Sequence, residues 1–264
     1  MLRALAILAA SLIATGTPAE ETEVDVELVL MVDVSRSMTP RELEIQRQGY
    51  AEALTSDPVI AAIRAGLLGR VAVSYVEWAG YGAQRVIVDW RLLETRADAE
   101  AFARTLTTNF NPALRRTSIS SALRFARAHL DDNAYRGLRR VIDVSGDGPN
   151  NAGGPVRQAR DAVLGEGIVI NGLPLMTREG MGSQWHLDDL DVYYENCVIG
   201  GPGAFVVPVL DWADFAGAVR RKLVLELVGP PAVPVVRAQY TPDPGYDCLI
   251  GEKIWERNRG FGTP

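Results

Sequence analysis

The chain has 264 residues, of which 47% are hydrophobic and 23% are charged, so it is long enough to bury one sizeable α/β core. Acidic residues outnumber basic residues by 33 to 27, and the formal net charge is −6. Because a nucleic-acid partner requires Lys and Arg clustered on one face, this balance argues against DNA or RNA binding.

The first 19 residues have the pattern of a secretory signal peptide. A single charge at Arg3 is followed by an apolar stretch from Ala4 to Ala14 and by small residues that end at Ala19. The apolar stretch is about 11 residues long, whereas a membrane-spanning helix needs roughly 20. We therefore predict cleavage after Ala19, no membrane span after cleavage, and a periplasmic or secreted bacterial protein.

The first half of the mature chain begins with a strand and a helix and continues with a hairpin. Val26 to Val32 is an apolar run typical of a strand covered on both faces, and Thr39 and Glu42 predict a capping box at the start of a helix. Two β-rich runs, Arg70 to Ala79 and Gln84 to Trp90, are separated by four residues that suit a hairpin turn. The second run is therefore predicted to be antiparallel to the first.

The second half of the chain alternates between helical and strand periodicity. The predicted elements are helices at Arg96 to Thr108, Ser118 to Leu130, Gly154 to Gly165 and Asp211 to Leu227, and strands at Arg139 to Ser145, Ile168 to Met176 and Ala204 to Leu210. Such alternation predicts an α/β, Rossmann-like doubly wound sheet of about six strands, mainly parallel with one antiparallel edge strand, and helices on both faces. We expect one domain over residues 20–228, with the Pro-rich tail 229–264 packed on it.

A loop directly after the first strand carries three hard oxygen ligands. Asp33, Ser35 and Ser37 occupy alternate positions, so an extended backbone brings their side chains to one side. Carboxylate and hydroxyl oxygens suit Mg²⁺, Mn²⁺ or Ca²⁺ and do not suit zinc or copper. Since three oxygens do not complete the coordination shell of such an ion, other loops must contribute.

Two later loops supply further oxygens at suitable places. Thr117 precedes a predicted helix, and Asp147 follows a predicted strand. Each has a simpler interpretation, because Thr117 suits a helix N-cap and Asp147 suits a turn beside Gly148. Ser118 and Asp143 are the rival residues at these two places, although Asp143 lies inside its strand and is expected to point into the structure.

Together these segments resemble the von Willebrand factor A family, whose metal-ion-dependent adhesion site combines Asp-x-Ser-x-Ser with a loop Thr and a later Asp-Gly. The resemblance covers roughly Val26 to Leu227 and implies the fold of that family. It also implies that one divalent cation is bound by Asp33, Ser35, Ser37, Thr117 and Asp147. The block from Leu187 to Phe205 departs from the better-known adhesion members and looks like an uncharacterised group of secreted bacterial proteins in the same superfamily.

The implied function is binding and not catalysis. The cation, Mg²⁺ in first place with Mn²⁺ or Ca²⁺ as alternatives, would keep an open position for an acidic side chain of a protein or peptide partner. The sequence has neither a Gly-x-Ser-x-Gly elbow nor a phosphate-binding Gly-x-x-x-x-Gly-Lys loop. Two other functions stay open, a metal-dependent hydrolase and a structural accessory of an envelope assembly.

The chain has two cysteines, Cys197 and Cys248. In a reducing cytosol they would be buried thiols, whereas in an oxidising compartment an even pair favours a disulfide. Because the signal peptide indicates export, we predict a disulfide that ties the tail to the domain.

Overall fold

The computed structural model describes residues 21–108, 114–177, 186–229 and 245–259, so the predicted signal peptide lies outside the described residues. The strands are β1 (Thr22–Asp33), β2 (Val71–Trp78), β3 (Gln84–Leu93), β4 (Tyr135–Gly146) and β5 (Val169–Pro174). The helices are α1 (Pro40–Thr55), α2 (Asp57–Arg64), α3 (Arg96–Thr108), α4 (Ile119–Asp131), α5 (Val156–Leu164), α6 (Leu190–Tyr193), α7 (Phe215–Val228) and α8 (Ile250–Arg259).

The five strands form one sheet in the order β3-β2-β1-β4-β5. β1 pairs in parallel with β2 and β4, and β4 pairs in parallel with β5. β3 pairs antiparallel with β2 at the edge, as the hairpin pattern predicts. The predicted α/β fold is therefore confirmed, and β1 lies at the centre of the sheet.

The prediction of a continuous strand over Ala204 to Leu210 is wrong, which leaves five strands and not six. The segment does run beside β5, because the Val207 amide donates to the Gly172 carbonyl at 3.0 Å and the Val209 amide donates to the Pro174 carbonyl at 2.9 Å. Only isolated bridges join the two segments. Pro174 of β5 lies between these bridges and has no amide hydrogen to donate to the neighbouring segment, so the ladder is interrupted there.

The sheet has a hydrophobic core on each face, as expected when side chains alternate along a strand. Leu28 and Leu30 of β1 pack into the core formed with α1, α2, α3 and α7. Val29 and Met31 pack into the core formed with α4, α5 and the segment around Tyr194. Burial on both faces explains why β1 is an almost uninterrupted apolar run.

The predicted capping box is present at the start of α1. The Glu42 amide donates to the Thr39 hydroxyl, and the Thr39 amide donates to the Glu42 carboxylate at 2.6 Å. A π-helical turn, Tyr194–Val198, follows α6, and Cys197 in this turn forms a disulfide with Cys248 just before α8. The predicted disulfide is thus present in the structure. Among the described helices, no segment has the length and hydrophobicity needed to cross a bilayer.

Candidate metal centre

The topology of the sheet brings the two predicted aspartates together. Asp33 is the last residue of β1, and Asp147 directly follows β4, the parallel neighbour of β1. The chain leaves β1 towards β2 on one side and later returns to β4 on the other, so the carboxyl ends of β1 and β4 flank a topological switch point. Ligands of open α/β sheets bind at such points.

Four of the five predicted ligand residues contact one another. The Ser35 and Ser37 hydroxyl oxygens are 2.9 Å apart, and the Ser37 hydroxyl donates to Asp147 Oδ1 at 2.9 Å. The Ser35 hydroxyl lies 3.5 Å from the same carboxylate oxygen. The Ser35 amide donates to Asp33 Oδ1 at 2.7 Å, which fixes this carboxylate at the start of the loop.

The loop of Thr117, the fifth predicted ligand, is held beside this cluster. The Leu114 amide donates to the Val34 carbonyl at 2.8 Å, and the Ser118 amide donates to the Ala79 carbonyl at 2.8 Å. The Thr117 amide donates to Asn151 Oδ1 at 3.1 Å, which connects this loop to the loop after β4. All three predicted loops therefore meet at one end of the sheet.

The structure separates the predicted ligands from their rivals. Ser118, not Thr117, caps α4, because the Ser118 hydroxyl accepts from the Ser121 amide and donates to the Ala152 carbonyl. The N-cap interpretation of Thr117 is therefore wrong. Asp143 lies away from the cluster, since its Oδ1 is 2.7 Å from the ammonium group of Lys222 on α7.

The electrostatics of the cluster suit a cation. Burial raises the pKa of Asp33 well above its usual range, and the nearby Asp147 carboxylate raises it further. Burial also raises the pKa of Asp147, which a hydrogen bond from Ser37 opposes. Two buried carboxylates that disfavour each other's charge are stabilised in the ionised form by a positive ion between them.

The donor set fits a hard divalent cation. Asp33 Oδ2 is fully buried and has no hydrogen-bond partner among the described residues, so this oxygen is available as a ligand or as an acceptor for a metal-bound group. No cluster of three or more His, Cys, Asp and Glu side chains occurs in the described parts of the chain. A metal at this site would consequently depend on the hydroxyl groups as well as on the two carboxylates.

Sequence reasoning missed Tyr194, which lies behind the cluster. A Cβ atom at Gly146 would lie 2.9 Å from the Tyr194 hydroxyl and 3.0 Å from Asp33 Oδ2, so both atoms crowd this glycine. Burial, with a smaller contribution from Asp33, holds the pKa of Tyr194 well above its usual range, so the phenol is uncharged. The only signal in the sequence was the unusual block from Leu187 to Phe205.

A small cavity opens beside Asp147. Its volume is about 250 Å³, and its walls include His186 and the apolar side chains of Leu175, Met176 and Leu210. A larger cavity of about 800 Å³ lies near the amino ends of β4 and β5 and includes none of the predicted ligand residues. The donor chemistry, and not cavity size, therefore identifies the candidate site.

Known structures resemble this fold at low sequence identity. Proximal thread matrix protein 1 from the mussel byssus matches with a TM-score of 0.55 and 15% identity over 79% of this chain and 49% of that chain. A second structure of that protein has a zinc-occupied metal-ion-dependent adhesion site. The von Willebrand factor type A protein from Catenulispora acidiphila matches with a TM-score of 0.52 and 16% identity over 78% and 43% of the two chains.

A third similar structure is the pilus adhesin SpaC from Lactobacillus rhamnosus GG, with a TM-score of 0.53 and 12% identity over 79% of this chain and 31% of that chain. The chain thus corresponds to about half or less of the length of these proteins. At such identities the likeness shows a von Willebrand factor A-like fold. No curated protein matches the chain. The family described as "Protein of unknown function (DUF1194)" matches residues 23–231, and the chain therefore belongs to this family.

Proposed function

We propose that this chain is an exported von Willebrand factor A-like domain that binds one divalent cation and uses it to bind a partner protein. The ligands in this proposal are Asp33, Ser35, Ser37, Thr117 and Asp147. The observation that carries the proposal is the convergence of the two serine hydroxyls on Asp147 Oδ1, beside the buried and unpartnered Asp33 Oδ2. When bound, the cation supplies an electrophilic site for a carboxylate oxygen of the partner.

The charges around the site support an acidic partner. Two carboxylates balance the two charges of the cation, and the neighbouring Glu42 is committed elsewhere, because its oxygens accept from the Thr39 amide and from the Trp212 indole. Arg36 and Arg115 are exposed in the site loops. These two side chains attract an anionic group to this end of the sheet.

Calorimetric titration of the mature protein with Mg²⁺ and with Mn²⁺ tests the cation site. We expect one site in the wild type and no measurable binding when Ser35→Ala is combined with Ser37→Ala. Ser56→Ala is the matched control, since Ser56 at the junction of α1 and α2 donates to the Ala53 carbonyl and takes no part in the cluster. Unchanged affinity in the double variant would refute the site.

A metal-dependent hydrolase is the second candidate function, because His186 lines the cavity beside Asp147. An imidazole beside a metal site is a potential general base. Turnover of a hydrolysable substrate that is lost in His186→Ala would favour the enzyme. Capture of a protein from envelope extract that is lost both with chelator and with Asp33→Ala would favour the binding domain.

Export is part of the proposal. It is supported by the signal-peptide pattern of the first 19 residues and by the disulfide between Cys197 and Cys248. Disulfides persist in oxidising compartments such as the periplasm and are rare in the reducing cytosol.

A further inference from the structure

The carboxy-terminal helix α8 lies against two of the three loops that form the candidate metal centre. On the loop after β4, Asn150 Nδ2 donates to Glu252 Oε1 at 2.7 Å. On the loop before α4, the guanidinium carbon of Arg116 is 3.6 Å from the centre of the Trp255 ring, a cation-π contact. A single face of α8 therefore contacts both loops.

Both contacted residues lie within three positions of a proposed ligand in the sequence. Arg116 precedes Thr117 in sequence and has a φ of 73°, a left-handed conformation that a non-glycine residue adopts only when its surroundings enforce it. The contact with Trp255 is one such constraint, because it fixes the direction of the Arg116 side chain. A change in the backbone of Arg116 would move Thr117.

Asn150 is the centre of the loop that follows Asp147. Its Oδ1 accepts from the Ser120 backbone amide at 3.0 Å, and its backbone N–H donates to the Tyr193 hydroxyl at 3.1 Å. The approach of α8 is close enough that a Cβ atom at Gly251 would lie 2.1 Å from the Asn150 carbonyl oxygen. Asn150 therefore joins α8, α4 and α6 at a point three residues from Asp147.

The disulfide holds α8 in this place. Cys248 precedes the helix by two residues, and Cys197 lies in the π-helical turn that begins with Tyr194. α8 has only ten residues, and isolated helices shorter than about 12 to 15 residues are marginal in water. Its position thus depends on tertiary contacts, and the disulfide is the covalent one among them.

We propose that Glu252 and Trp255 of α8 are positioning residues for the divalent-cation site, and that the Cys197–Cys248 disulfide keeps them in place. This inference rests on the proposed cation binding. Glu252 orders the loop of Asp147 through Asn150, and Trp255 orders the loop of Thr117 through Arg116. Residues that orient the ligands of a metal site commonly change its affinity by about 10- to 100-fold.

Titration of the full mature chain with Mn²⁺ tests this proposal. We expect Glu252→Ala and Trp255→Ala each to weaken Mn²⁺ binding by about tenfold or more. Glu252→Gln should restore affinity because its amide oxygen still accepts from Asn150, and Trp255→Phe should restore part of it because a ring face remains for Arg116. Rescue by these conservative variants separates positioning from a general loss of structure.

Lys253→Ala is the matched control on the same helix, because the Lys253 ammonium pairs with Asp247 at the surface and not with a site loop. It should leave Mn²⁺ affinity unchanged. Cys197→Ser combined with Cys248→Ser should weaken binding at least as much as either α8 variant. If this double variant does not fold, the Glu252 and Trp255 variants decide the question with the disulfide intact.

The outcomes separate this inference from the proposed function. A wild-type chain that does not bind Mn²⁺, or one whose affinity is unaffected by Ser35→Ala with Ser37→Ala, overturns both proposals. Wild-type binding that is lost in the serine variant but unchanged in Glu252→Ala and Trp255→Ala overturns only the role of α8.

Discussion

At the residue scale, two buried oxygens from different segments approach Gly146 at the place where a side chain would begin. The Tyr194 hydroxyl and Asp33 Oδ2 both lie about 3 Å from the place where a Cβ atom of residue 146 would stand, and neither has a hydrogen-bond partner among the described residues. An added methyl group would have to displace one of them. Because both oxygens are on buried side chains, neither can move away at low cost.

This crowding predicts that Gly146→Ala weakens cation binding and lowers the free energy of unfolding by about 1 to 3 kcal/mol, the usual cost of overpacking. Gly148→Ala is the matched control, since a Cβ atom there has no neighbour within 4 Å. Denaturant unfolding and Mn²⁺ titration of the two variants give the comparison. Equal effects of the two substitutions would contradict the role assigned to Gly146.

The candidate ligands could be predicted from the sequence because each lies at a boundary that local patterns reveal. Asp33 ends an apolar run, and Asp147 follows another beside a glycine. The choice between Thr117 and Ser118 could not be made in this way, since both are good N-cap residues. The contacts of Ser118 with Ser121 and Ala152 show that Ser118 caps α4, whereas Thr117 stays a predicted ligand.

At the element scale, prediction was best where one periodicity dominated. The helix predicted over Arg96 to Thr108 has the same bounds in the structure. β4 begins at Tyr135, four residues earlier than predicted, because residues 135–138 are not buried and include Arg136 and Gly137, which do not indicate a strand. The sequence does not predict α8, because the tail in which it lies is dominated by prolines. The helix is short, and its stability comes from contacts with residues that are distant in sequence.

The helix α7 carries a charged pair that a sequence-based interpretation would place at the surface. Lys222 and Glu226 are four residues apart, the spacing of an exposed helical ion pair, yet both are buried against the sheet. The Lys222 ammonium contacts Glu226 and lies 2.7 Å from Asp143 Oδ1. One buried positive charge therefore faces two carboxyl groups.

This arrangement predicts a pH-dependent stability. Burial and the Asp143 carboxylate raise the pKa of Glu226 to about 7, well above its ordinary value of 4.5. A carboxyl group whose pKa is raised in the folded state stabilises the protein fully below the unfolded pKa, and this contribution is lost as the pH rises through the folded pKa. The wild type should therefore lose on the order of 1 to 3 kcal/mol of stability between about pH 4.5 and pH 7 through this group.

Glu226→Gln should flatten this part of the profile, because glutamine does not titrate and its oxygen can still accept from Asn171 Nδ2, as Glu226 does at 3.0 Å. Glu52→Gln, at an exposed position of α1, is the control and should keep the wild-type profile. Denaturant unfolding at several pH values measures the effect. If Glu226→Gln shows the same pH dependence of stability as the wild type, a group other than Glu226 takes up the proton.

At the scale of the whole molecule, the site is built from segments far apart in sequence that one sheet and one covalent bond bring together. β1 and β4 place Asp33 and Asp147 side by side, although 114 residues separate them in the chain numbering. The disulfide then connects the turn after α6 to the residues just before α8. The helix α8 in turn contacts the loop that follows Asp147. The cysteine pair could be predicted from export, whereas its proximity to the metal centre required the structure.

The disulfide also predicts how the whole molecule responds to loss of a covalent link. Cys197 and Cys248 are 51 residues apart, and closing a loop of that length stabilises the folded state by roughly 4 kcal/mol in the chain-entropy model. Cys197→Ser combined with Cys248→Ser should therefore lower the free energy of unfolding by about 2 to 4 kcal/mol, and mass spectrometry of the unreduced wild type should find no free thiol. Ser56→Ala, which lies outside the loop that the disulfide closes, should have a much smaller effect. Two free thiols in the exported protein, or a serine variant as stable as the wild type, would show that noncovalent contacts alone hold α8 against the domain.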